Sequence, residues 1–337
     1  MRTLILSILL VFSVSFTFAE NKAFIVGIGN YPQNSGWHAI SSANDVKLLS
    51  GVLPSDFDVQ TLVDSEATYD RIMKSLSILS DQCSEGDTIF LHFSCHGQQV
   101  ICNEKEEVDS LDEALVPYDA LSKKSEEYDG SKHLLDDELG YYITQLRKSI
   151  GSKGLLIVTL DACFSDSMNK GDSQKRDSVI YRGGNDIFGS NYISQQRMDE
   201  ILEHRRDVET YKITKSNLLS DVVLISACKS YQKNMEVCID GVGYGSLSYS
   251  IWQTFKQRNF SNISLWIEDV LMHMSDNAFT QNPQVRTTLD DNPSKIPESV
   301  NKNTESIHTE STNTHIFYLI GGVIASMLVL LWKKRKK

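Results

Sequence analysis

Short runs of nearly uninterrupted apolar, β-branched residues alternate along this chain with segments of helical periodicity, and that alternation restricts the fold more than any other feature. The runs are Ala23 to Gly29, Phe57 to Val63, Asp87 to Phe93, Gly154 to Leu160 and Asp221 to Ser226. Between them, Ser41 to Ser50 and Asp136 to Ile150 read as helices, and Thr68 to Leu79 carries apolar residues at 72, 73, 76 and 79, the spacing of one helix face. Amphipathic stretches around Leu247 to Phe255 and Leu265 to Met274 follow the last run. Strand and helix in repetition predict an α/β fold, with a mostly parallel sheet covered by helices on both faces.

Two of these strands end in residues that can do chemistry together. The third leads into Ser94-Cys95-His96-Gly97, and the fourth into Asp161-Ala162-Cys163-Phe164-Ser165. Open α/β sheets place their sites at the carboxyl ends of the strands. A thiol attacks as thiolate, so Cys163 needs a neighbour to take its proton, and an imidazole can accept that proton and return it to a leaving amine. His96 is the natural partner, because His92 lies inside its strand, His38 in a loop and His133 in an acidic excursion. A glycine after the histidine permits close backbone approach, so the N–H groups of Gly97 and Cys163 are candidates for holding a developing oxyanion. Either segment alone reads as an ordinary strand-ending turn or an inert buried thiol; their joint occurrence points to nucleophilic catalysis.

The ends of the chain differ from its body. Met1-Arg2, the apolar run from Leu4 and the small-residue site near Ala19 have the pattern of a secretory signal over 1–19, with an uncleaved anchor as the alternative. After a body at 20–289, residues 290–314 shift to Asn, Ser, Thr, Glu and Pro, too polar to recover their ordering entropy, and read as a flexible stalk. Residues 315–332 form an uncharged span at the short limit of a transmembrane helix, closed by the basic tail 333–337. The expected layout is a single-pass protein with an extracytoplasmic body, its membrane partner held through the C-terminal helix. A removed sorting signal has the same pattern. Setting aside Arg2 and the five tail cations takes the formal charge from −11 to −17, which argues against nucleic acid and for basic substrates. Six cysteines fix no disulfide pairing.

From about Lys22 to Arg286 the sequence resembles the caspase-like cysteine peptidases and, within them, the metacaspases. The resemblance is carried by Ala43-Asn44-Asp45-Val46, Ser94-x-His96-Gly97, Asp112-Glu-Ala-Leu-Val-Pro-Tyr-Asp119, Leu135-Asp-Asp-Glu-Leu139, Asp161-Ala-Cys163, Ser226-Ala-Cys-Lys-Ser-Tyr-Gln232 and Gln281-Asn-Pro-Gln284, in that order. It implies a three-layer α/β/α sandwich and an endopeptidase acting through an acyl-enzyme on Cys163, with His96 as base and acid. It also implies an acidic primary pocket of Asp45 and Asp161 lined by Ser94, hence protein or peptide substrates cleaved after Arg or Lys. Activation by Ca2+ is implied through Asp112, Asp136 and Asp137, whose hard oxygens suit that ion. The resemblance also implies self-processing, for which Lys175-Arg176 are candidates. Two departures stand out: Phe164-Ser165-Asp166 replaces the family's His-Ser-Gly, and Lys170 stands where a fourth calcium aspartate belongs. They motivate a caspase-fold scaffold module as an alternative, and the membrane anchor motivates a transpeptidase.

Overall fold

A computed structural model describes residues 19–101, 111–164, 180–184, 186–189, 213–230, 232–276 and 281–290. All lie in one compact unit.

The apolar runs form the centre of the molecule. Strands β1 (Asn21–Gly27), β2 (Phe57–Val63), β3 (Thr88–Ser94), β7 (Leu155–Asp161) and β8 (Asp221–Ser226) pair in parallel. A short edge strand, β11 (Gln284–Thr287), runs antiparallel beside β8, giving the order β11-β8-β7-β3-β1-β2. Because successive side chains of a strand point to opposite faces, each strand feeds two cores. On one face Phe24, Val26, Leu91, Phe93, Val158 and Leu160 pack on Ile72, Leu76 and Leu79 of α2 (Tyr69–Gln82) and on Leu139, Ile143 and Leu146 of α3 (Asp136–Ile150). On the other, Ile25, Phe90, Ile157 and Val223 meet Val46 and Leu49 of α1 (Ser42–Ser50), Leu247 and Ile251 of α4 (Ser246–Phe255), and Trp266 and Val270 of α5 (Ile263–Asp276). The result is the expected α/β/α sandwich.

The structure differs from the sequence reading in two places. The polar excursion after His96 contains a second sheet, β4 (Gly97–Ile101), β5 (Leu111–Leu115) and β6 (Leu134–Leu135), all antiparallel. Its central strand, Leu-Asp-Glu-Ala-Leu, is wholly buried despite two acids, so alternation and composition both hid it. A hairpin of β9 (Glu236–Ile239) and β10 (Val242–Gly245) leads into α4.

The membrane layout is corrected. No helix among the described residues is long and apolar enough to cross a membrane. Residues 1–18 of the expected signal, most of the stalk, the run 315–332 and the tail 333–337 lie outside the described residues, and the single-pass extracytoplasmic assignment is withdrawn.

Candidate active site

Parallel register places the site. Ser94 at the end of β3 stands beside Asp161 at the end of β7, and Gly27 of β1 lies on Ser94's other side. Two residues later along each strand come His96 and Cys163. The two loops abut: a Cβ added at Gly97 would lie 2.6 Å from the Cys163 carbonyl oxygen and 2.9 Å from its carbon. That contact, rather than backbone dihedral freedom, is what requires glycine here.

His96 is enclosed by aromatic rings. Trp37 stacks on it at 4.9 Å, Tyr31 lies at 5.3 Å and the His38 ring meets it edge-on at 4.5 Å. Its Nε2–H donates to the His38 carbonyl oxygen at 2.8 Å, while Nδ1 is buried without a hydrogen-bond partner. Holding the proton on Nε2 leaves the lone pair on Nδ1. Burial lowers the pKa to about 3, so the ring is neutral at pH 7. The Cys163 thiol, also buried, donates to the Gln232 carbonyl oxygen at 3.2 Å. Cys228 shares that acceptor at 3.4 Å, and its own thiol pKa is pushed well up by its hydrogen bond with Cys163 and by desolvation. The five described cysteines, including Cys95, are free thiols.

Beside the thiol lies a pocket of three carboxylates, and it is filled by the chain itself. Arg182, wholly buried, places Nη2 2.7 Å from Asp45 and 2.9 Å from Glu236, and Nη1 3.5 Å from Asp161 Oδ1. Ser94 Oγ accepts from Nη1 and donates to Asp45, both at 2.7 Å. Asp161 is further held by Asn234 Nδ2 at 2.7 Å and by the N–H and Oγ of Ser248 in the first turn of α4, where the helix dipole favours an anion. Burial raises the Asp161 pKa, but Arg182 and the hydrogen bonds from Asn234 and Ser248 outweigh it and hold it low. Asp45 has fewer donors, and desolvation raises its pKa to about 6 in spite of Arg182. Arg182 stays charged, because three carboxylates overcome its own desolvation.

The segment carrying Arg182 lies in the cleft as an added strand. Arg182 N–H donates to the Asn234 carbonyl oxygen and Glu236 N–H to that of Ile180, both at 2.9 Å, with Tyr181 opposite Met235 in an antiparallel bridge. This is the hydrogen-bonding of a peptide laid on a sheet edge. Gly183 follows directly over the nucleophile: a Cβ there would sit 3.0 Å from Cys163 Sγ. Beyond it, Gly184 N–H donates to Gly97 and Phe188 N–H to Gln99. A cavity of about 520 Å³ lined by Trp37, His38, Gln98, Ser122 and Gly184 opens along this stretch.

Of the residues singled out from sequence, Gly97 abuts Cys163, Asp45, Ser94 and Asp161 converge on Arg182, and His96, the residue before Gly97, packs among Tyr31, Trp37 and His38. Lys175-Arg176 lie outside the described residues. Asp112 is buried on β5, and Asp136 and Asp137 open α3, where Asp136 Oδ1 accepts the Asp137 N–H at 3.0 Å. No group of three His, Cys, Asp or Glu side chains among the described residues is placed to hold a metal. No step below runs through the ion. Sequence reading missed Arg182, Glu236, Asn234 and Ser248. Tyr181-Arg182-Gly183-Gly184 offered a faint signal, a lone basic residue followed by two residues without side chains.

Known proteins resemble this chain in sequence and in fold. The caspase-domain family model, Peptidase_C14, matches residues 20–293. Metacaspase-1 of Coccidioides immitis is 24% identical over 298 residues, covering 79% of this chain and 61% of the relative. Metacaspase-1 of Schizosaccharomyces pombe is 25% identical over 310 residues, covering 79% and 67%. The chain thus spans roughly two thirds of the length of such relatives. A crystal structure of a protein from Geobacter sulfurreducens superposes with a TM-score of 0.54 at 20% identity, covering 82% of this chain and 97% of that one, and shares the fold. On the breadth of the family match, this chain belongs to the caspase-domain family of cysteine-type endopeptidases, among its metacaspase-like members.

Proposed function

We propose that the protein hydrolyses peptide bonds after a basic residue, and that its first substrate is its own Arg182–Gly183 bond. The supporting observation is the placement of Arg182 among three buried carboxylates with Gly183 against the Cys163 sulfur. The Cys163 thiol rotates away from Gln232 and passes its proton to His96 Nδ1. The sulfur attacks the Arg182 carbonyl carbon, and the N–H groups of Gly97 and Cys163 receive the oxyanion. The Arg182–Gly183 C–N bond breaks as His96 returns the proton to the Gly183 amine. Water, deprotonated by His96, then hydrolyses the thioester and regenerates the thiol.

The test is mass mapping of the full chain after incubation. A new amino terminus at Gly183 is expected, together with turnover of a peptide ending in Arg before a fluorogenic amide, and Cys163→Ala should lose both. Neither product in the unmodified protein would leave the fold as a binding module instead.

A further inference from the structure

Resting on the reading of Cys163 as nucleophile, we infer that Cys228 is a resolving thiol: when a peroxide enters the cleft, it closes a reversible disulfide onto Cys163 and takes the nucleophile out of action. The peptidase steps above make no use of this second sulfur.

Strand register brings the two cysteines together. Leu160 of β7 pairs with Ser226 of β8, and the Ala227 N–H carries the ladder one step further by donating to the Leu160 carbonyl oxygen at 2.9 Å. Cys163 follows three residues after Leu160, and Cys228 two after Ser226. Neighbouring strands lie about 4.8 Å apart, so the two loops leave the sheet at a separation inside the range of roughly 4.4–6.8 Å that a disulfide spans between Cα atoms. The side chains converge as well. Both thiols donate to the Gln232 carbonyl oxygen, at 3.2 and 3.4 Å, and they hydrogen-bond to each other. Cys95, by contrast, is packed into the apolar core beneath α2 and α3, the ordinary place for an inert thiol.

The chemistry balances with a peroxide as oxidant. His96 takes the Cys163 proton, and the thiolate attacks one peroxide oxygen. The O–O bond breaks, leaving a sulfenic acid on Cys163 and a hydroxide that recovers the proton from His96 as water. Cys228 Sγ then attacks the sulfenic sulfur; the S–S bond forms, the S–O bond breaks, and the hydroxyl leaves with the Cys228 proton as a second water. A dithiol reverses the bond by exchange and is itself oxidised. Cys163 is the thiol oxidised first, because its hydrogen bond to Cys228 and desolvation push the Cys228 pKa well up and keep that proton in place. Gly183 covers the nucleophile beforehand, a Cβ there falling 3.0 Å from Cys163 Sγ, and a cut after Arg182 uncovers it. Without a resolving partner a sulfenic acid goes on to the sulfinic state, which a dithiol does not reverse.

The experiment uses the full chain, incubated until the Gly183 terminus stops accumulating and then treated with hydrogen peroxide, alkylated, digested and mapped by mass. Turnover of an arginine peptide is followed before the oxidant, after it and on adding dithiothreitol. A peptide cross-linked through Cys163 and Cys228 is expected to grow as turnover falls, and dithiothreitol to restore most of that turnover. In Cys228→Ser, with each rate taken relative to its own untreated value, recovery should drop by roughly tenfold as Cys163 collects in the sulfinic state. Absence of the cross-link after peroxide, a bond from Cys163 to another cysteine, or equal recovery in Cys228→Ser overturns the inference while leaving the peptidase intact. No Gly183 terminus and no turnover before the oxidant would instead sink the peptidase reading, and the switch with it. If Cys228→Ser does not fold, the cross-link and its reversal in the unmodified protein decide.

Discussion

At the scale of single residues, the pocket is an electrostatic balance with one cation against three carboxylates, all nearly or wholly buried. Removing one partner of such a cluster leaves uncompensated charge, so Arg182→Ala should destabilise the unprocessed protein by about 3–5 kcal/mol near neutral pH. The sign of the pH dependence follows from the carboxyls. Asp45, with a folded pKa of about 6 against an ordinary 3.8, loses its contribution to stability as pH rises through that interval. Asp161, held low, contributes above the unfolded value and loses that contribution as pH falls through its depressed one. Arg182 lowers both, so deleting it raises both folded values, and Asp45 and Asp161 take up protons at a higher pH than in the parent. The gap in melting temperature between Arg182→Ala and the unmodified chain should therefore be wide at pH 8 and narrower at pH 5. An equal or wider gap at pH 5 would mean that the carboxylates do not depend on the arginine. Asp45 and Asp161 were legible in the sequence through their motifs; Arg182 and Glu236 were not, because a contact between residues 54 apart in a charge cluster leaves no local periodicity.

Among elements, what the sequence disclosed was whatever a period could record. Phe57–Val63, Asp136–Ile150 and Asp221–Ser226 lie where the apolar spacing predicts them, and the other parallel strands differ at their ends by a residue or two. The β4–β6 sheet escaped because β5 buries Asp112 and Glu113, so its burial does not follow its hydropathy. The motif residue Gln281 also has an ordinary explanation: it donates to Asn234 Oδ1 at 2.7 Å and so orients the amide that holds Asp161. The loop after β3 is where element geometry bears on chemistry. A methyl group at position 97 would press on the Cys163 carbonyl and come within 3.0 Å of the Phe164 ring. Gly97→Ala is expected to cost about 1–3 kcal/mol, the range for overpacking, and to slow the appearance of the Gly183 terminus by at least tenfold, roughly the penalty for a misplaced catalytic group. Denaturant titration and a timed digest read the two effects. A variant as stable and as fast as the parent would separate the two loops.

For the molecule as a whole, a cut after Arg182 divides the chain without dividing the sandwich. Strands β1, β2, β3 and β7 fall on the first product, and β8 and β11 on the second, yet β7 and β8 remain hydrogen-bonded in register from Leu155–Asp221 to Leu160–Ser226. The core on that side is shared as well, Val46, Phe90 and Ile157 from one product meeting Leu247, Trp266 and Val270 from the other. Arg182 itself would stay with the first product while its partner Glu236 belongs to the second. An interface made of a continuous sheet and a common apolar core resembles a domain interior cut in half, the hallmark of obligate association. The two products should therefore elute together at the volume of the intact chain and separate only in denaturant. Cleavage also frees the new amino terminus, so that Gly184 and Phe188 can leave their hydrogen bonds to Gly97 and Gln99 of β4 and clear the 520 Å³ cavity. Turnover of an added arginine peptide should consequently begin with a lag that shortens as the Gly183 terminus accumulates. Products that part under native conditions, or turnover at full rate from the first moment in uncut protein, would show that the segment at 180–188 does not gate the cleft.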